Sequence, residues 1–112
     1  MNARVTRTSA SHDLLCKHLD LVGVQGYTRE HRAIPGRQFR IDIAFPELKL
    51  AIEVMGGTWS NGRHTRGAGY EADCEKACLL AGLGWRYLPV TSEQVRSGKA
   101  LKWIEKALRG TT

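Results

Sequence analysis

The chain predicts a mixed α/β fold in which one small sheet is covered by helices. Three observations predict it. Apolar and polar residues alternate through Phe39-Arg40-Ile41-Asp42-Ile43-Ala44-Phe45 and again through Leu48-Lys49-Leu50-Ala51-Ile52-Glu53-Val54-Met55, the period of two expected of strands. Elsewhere apolar residues recur at helical spacing, as in Leu14, Leu15, Leu19 and Val22 and in Tyr70, Cys74, Ala77, Cys78 and Ala81. Gly and Pro punctuate the segments between them.

Residues 1–8 form a polar, Arg-bearing arm, and residues 9–112 a single domain. A helix runs from Ser9 or Ser11 to about Gly23, with a serine N-cap and a glycine stop. Tyr27 to Ile34 is a first strand ending at Pro35-Gly36. Strands two and three follow as a hairpin with Pro46-Glu47 as a two-residue turn. Gly56 to Gly69 holds five glycines in fourteen residues and is a loop. A second helix spans about Tyr70 to Leu83 and closes at Gly84. Trp85 to Val90 is a fourth strand. Thr91-Ser92-Glu93-Gln94 is a capping box that opens a final helix carrying Leu101, Ile104 and Leu108, with a break at Ser97-Gly98. The order is helix, three strands, helix, strand, helix.

At 112 residues the chain holds one core, and 42% apolar residues is ordinary for a globular domain. Seventeen Lys and Arg against eleven Asp and Glu give +6 and a pI near 9.6. That balance favours a polyanionic partner, nucleic acid before an anionic membrane surface, although many small domains carry such charge for solubility alone. No apolar run is long enough to span a bilayer and no hydrophobic signal core is present, so a cytoplasmic location is expected. Three cysteines in that setting argue against a disulfide framework.

In the hairpin, Phe39, Ile41, Ile43 and Phe45 share a face with Leu48, Leu50, Ile52 and Val54. The opposite face carries Arg40, Asp42, Lys49 and Glu53. With a two-residue turn, Asp42 pairs with Ala51 and Arg40 with Glu53, leaving Asp42 and Glu53 as diagonal neighbours roughly 7 Å apart. Two carboxylates at that spacing can hold a hard divalent cation, with the main-chain carbonyl of Val54 as a third ligand. The competing reading is a solvated face on which Glu53 pairs with Arg40 and Asp42 lies near Lys49. Gly56-Gly57, directly after Met55, favours the first, because glycines admit a close phosphate chain at the strand end.

The string from Phe39 to Glu47, followed by Leu50-Ala51-Ile52-Glu53-Val54-Met55-Gly56-Gly57, resembles the core of the PD-(D/E)xK, or restriction-endonuclease-like, nucleases. The nearest flavour is the very-short-patch repair endonucleases and related small phage and bacterial nucleases. The resemblance covers about residues 9 to 91. It implies a restriction-endonuclease-like αβββαβα core and Mg²⁺-dependent endonucleolytic cleavage of DNA, with Mn²⁺ able to substitute. Asp42 and Glu53 would be the metal ligands, in a protein of phage or prophage origin. Ile41 precedes Asp42 where proline is usual, a common departure in this subgroup. Met55 replaces the motif lysine two residues after the glutamate, and a thioether neither carries charge nor donates to a phosphate.

Lys76 takes that role in this reading, since some members of the superfamily place their lysine on the helix after the loop; the alternative is a solvated lysine paired with Glu75 or Asp73. His64, in Asn61-Gly62-Arg63-His64-Thr65-Arg66, resembles the loop histidine that the repair group uses as base or water-positioner. Glu30 is an auxiliary acid that pairs equally well by pattern with Arg29 or Arg32. Arg37, Arg40, Arg63 and Arg66 are expected to bind DNA phosphates. Trp59 either stacks on bases or folds onto the core, and Trp85 and Trp103 read as core. Cys74 and Cys78 read as buried small hydrophobes rather than as zinc ligands with His64. Rival functions are a DNA-binding module of the same fold with decayed chemistry, for which Met55 argues, and a protein-interaction domain. The oligomeric state stays open, a homodimer included.

Overall fold

The computed structural model describes residues 10–55 and 68–110. The expected arm, residues 1–8, lies outside them. The elements are α1 (Ala10–Leu21), β1 (Thr28–His31), β2 (Ile41–Phe45), a 3₁₀ turn (Pro46–Leu48), β3 (Leu50–Met55), α2 (Ala68–Gly82), β4 (Arg86–Thr91), α3 (Ser92–Arg96) and α4 (Lys99–Arg109). This is mixed α/β. The final helix is two pieces, divided at Ser97 and a left-handed Gly98 with φ 89°. Thr91 and Gln94 exchange reciprocal side-chain to main-chain hydrogen bonds that close the α3 N-terminus.

The four strands lie in chain order. β1, β2 and β3 form an antiparallel meander, and β4 joins β3 in parallel after the α2 crossover. Ile43, Phe45, Leu50, Ile52 and Val90 pack under α1, α3 and α4 through Leu15, Leu19, Val95, Ala100 and Ile104. On the other face Ala44 and Ala51 stand directly across from one another and pack with Leu80 of α2. That pair of methyl side chains leaves room for α2 to lie close to the sheet, with Leu80 fully buried.

Several expectations are corrected. The hairpin turn is not two residues. Pro46–Leu48 form a 3₁₀ turn and Lys49 is left-handed at φ 52°, so Phe45 pairs with Leu50 rather than with Leu48, which is exposed. The register moves by two, and an even shift returns each side chain to the same face while changing its neighbour across the ladder. Phe39 and Ile41 nevertheless join the cluster under α2. The first strand is shorter than Tyr27 to Ile34, and Glu30 within it has φ 55°. α2 presents the opposite stripe from the one expected. Tyr70, Cys74, Cys78 and Ala81 face outward, whereas Lys76 and Leu80 are buried. Trp103 is exposed, because α4 buries Ala100 and Ile104 instead.

Candidate active site

Three elements meet where the β2–β3 ladder runs out. Continuing the register of Ala44 with Ala51 and Ile43 with Ile52 by one step sets Asp42 opposite Glu53, closer than the expected diagonal. The two acids are laced together through the backbone. Asp42 Oδ2 accepts the Val54 N–H at 2.9 Å, and the Asp42 main-chain N–H favours the ionised Glu53 carboxylate. Glu53 is only 7% exposed, so the solvated-face alternative fails.

The charge opposite Glu53 is Lys76, which reaches down from α2 and places Nζ 2.5 Å from Glu53 Oε2. The same ammonium donates to the Arg40 main-chain carbonyl. Lys76 is 9% exposed, which excludes the solvated lysine paired with Asp73 or Glu75; Glu75 instead binds Arg37 at 2.8 Å. A lysine is buried only where its charge and donors are met, and Glu53 and Arg40 meet them. Among the described residues Oε2 meets Lys76 at ion-pair distance and has no partner in hydrogen-bond geometry.

Glu53 titrates far from the usual carboxylate range. Burial pushes its pKa up to about 7, the negative charge of Asp42 adds to the rise, and Lys76 opposes it. A buried Glu53 beside a half-buried Asp42, their repulsion incompletely relieved by one ammonium, is suited to receiving more positive charge.

Asp42 also faces a second set of groups. His12 and Glu30 each bring a ligand atom to within 4.8 Å of an Asp42 carboxylate oxygen and of each other. His12 is 4% exposed and its Nε2 lies 3.1 Å from the Asp42 main-chain oxygen. Sequence reading missed this histidine. Its signal was its place in the stripe His12, Leu15, Cys16 and Leu19, the buried face of α1.

No family model, curated protein or solved structure matches this chain.

Of the expected site residues, Asp42, Glu53, Val54 and Lys76 come together directly, and Glu30 joins at Asp42. Arg40 does not pair with Glu53; it stands 3.8 Å from Glu30. Lys49 is not beside Asp42 and donates instead to the Leu83 carbonyl. Arg37 stacks its guanidinium 4.8 Å from the Phe39 ring centroid and lines an open concavity with Gly36, Gln38 and Phe39. His64, Trp59, Arg63 and Arg66 lie outside the described residues.

Proposed function

We propose that this chain is a metal-dependent DNA endonuclease of the PD-(D/E)xK type, with Asp42, Glu53 and Lys76 at its centre. The convergence of two paired acids from adjacent strands with a buried lysine from the following helix carries the reading. The mixed α/β architecture, a four-stranded mixed sheet flanked by helices, supports the reading. Lys76 supplies from the helix the cation that Met55 lacks on the strand.

The donor set suits a hard divalent cation: two carboxylates, one of them held near neutral pH by burial and by its neighbour's charge, and a strand-end carbonyl. A strand residue directs its N–H and C=O to the same side, and the Val54 N–H points at Asp42, so the Val54 carbonyl belongs to this set. Mg²⁺ or Mn²⁺ held by Asp42, Glu53 and Val54 would supply charge neutralisation and an acidified water for phosphodiester hydrolysis. Asp42 is fixed in place by the Val54 N–H. Lys76 favours the ionised form of Glu53 against burial and the charge of Asp42, and presents a positive charge beside the scissile phosphate. Arg37 and Arg40, both partly exposed and held by acids, exchange Glu75 and Glu30 for DNA phosphates on binding.

A second reading rests on the same lysine. Lys76 is held by both Glu53 and the Arg40 carbonyl, as a structural ion pair would be, and the strand lysine is absent. In that case the chain binds DNA without cutting it. Incubating plasmid, linear, single-stranded and branched DNA with the protein, with and without Mg²⁺ or Mn²⁺, decides between them. Metal-dependent strand breaks establish the nuclease. DNA binding without breaks on any substrate establishes the decayed module.

A further inference from the structure

Asp42 has a neighbour set that the proposed nuclease centre does not use. His12 comes from the buried stripe of α1, Glu30 from the left-handed position in β1, and Asp42 from the end of β2. One ligand atom from each lies within 4.8 Å of the other two, a span a single cation can bridge. The ring of His12 is fixed against β2 by its contact with the Asp42 carbonyl, and burial keeps it there. Glu30 is exposed, which leaves an entry path from solvent. It is also one of two non-glycine residues with positive φ among those described, a conformation that side chains other than glycine's rarely adopt.

We infer that His12, Glu30 and Asp42 form a second divalent-cation position, selective for a first-row transition ion such as Mn²⁺ over Mg²⁺. The selectivity follows from the donors. Mg²⁺ prefers an all-oxygen octahedron and sheds water reluctantly, whereas an imidazole nitrogen beside two carboxylates suits the transition ions. The Asp42 carboxylate is common to this position and the nuclease centre. The inference therefore rests on the nuclease reading only in sharing Asp42, and it holds for a chain that cleaves nothing.

The test uses the full chain and Mn²⁺ alone, without DNA. Pulsed electron paramagnetic resonance of the Mn²⁺-loaded protein is expected to show ¹⁴N coupling from a bound imidazole, and calorimetry is expected to show Mn²⁺ binding that survives excess Mg²⁺. His12→Gln removes the ¹⁴N coupling and weakens Mn²⁺ at least about 10-fold. Glu30→Gln, on an exposed side chain, weakens Mn²⁺ similarly without threatening the core, while Glu53→Gln leaves the ¹⁴N coupling intact. Absence of ¹⁴N coupling in the wild type, its persistence in His12→Gln, or unchanged affinity in Glu30→Gln overturns the inference. Failure of the nuclease reading looks different: no strand breaks with either metal, while the ¹⁴N coupling is present.

Discussion

Replacing Glu53 with glutamine should change how stability depends on pH, by an amount that the structure sets. The Glu53 carboxyl is 7% exposed and titrates at about 7 in the fold, against 4.5 in an unstructured chain. The folded protein therefore binds this proton more tightly than the unfolded one does. Below pH 4.5 the acid is neutral in both states and nothing is lost. As pH rises from 4.5 through 7, the unfolded chain ionises first, and the native state loses stability relative to it. The rise from 4.5 to about 7, at 1.36 kcal/mol for each tenfold change in proton affinity, gives about 3 kcal/mol, complete above pH 7. Glutamine does not titrate, so urea midpoints of wild type and Glu53→Gln at pH values from 4.5 to 8.5 report this group together with its coupling to Asp42 and Lys76, titrations remote from the site being common to both. The expected result is that wild type loses about 3 kcal/mol relative to Glu53→Gln across that range. Addition of Mg²⁺ or Mn²⁺ at pH 8 should return part of it to the wild type only. A difference that stays flat with pH would show that Lys76 compensates Glu53 fully and that the pair is an ordinary structural ion pair.

Other outcomes follow from the packing and the charges. Leu80→Ala empties the contact with Ala44 and Ala51 and should destabilise by about 2–5 kcal/mol in chemical denaturation, loosening the helix that carries Lys76. Thr91→Ala breaks the reciprocal cap of α3 and should cost about 1 kcal/mol by the same measurement. DNA affinity, followed by fluorescence anisotropy, should fall steeply with salt, and Arg37→Ala or Arg40→Ala should each lower the slope of log affinity against log salt by about 1. Slopes unchanged in both variants would place the DNA elsewhere on the molecule.

What the sequence made legible is the facing of residues, and what it hid is their partners. Alternation alone assigned Ile43, Phe45, Leu50 and Ile52 to one side of the hairpin, because a strand has no other way to bury them. The turn was opaque. Nothing in Pro46-Glu47-Leu48-Lys49 announces a left-handed residue, since lysine rather than glycine occupies that position. The resulting shift of two residues turned a diagonal pair of acids into a facing one. In α2 the composition misled, because Tyr70, Cys74 and Cys78 make a more apolar stripe than Ala72, Lys76 and Leu80. Only the presence of Glu53 on the sheet below explains why the lysine side is the inward one. His12 was readable as an α1 core position but not as a neighbour of Asp42, since that contact spans thirty residues of chain.

In the proposed nuclease, Lys76 on the helix would do the work of the lysine missing from the strand at Met55. The rate of Mg²⁺-dependent plasmid cleavage by wild type, Lys76→Ala and the double variant Met55→Lys/Lys76→Ala tests it most directly, with the melting temperature of each recorded alongside. On that proposal, removing the lysine charge is expected to slow cleavage about 10²–10³-fold. Restoring a lysine on the strand should recover a substantial part of that loss. Cleavage by Lys76→Ala at the wild-type rate, or a wild type that binds DNA and metal and cuts nothing, would contradict the account.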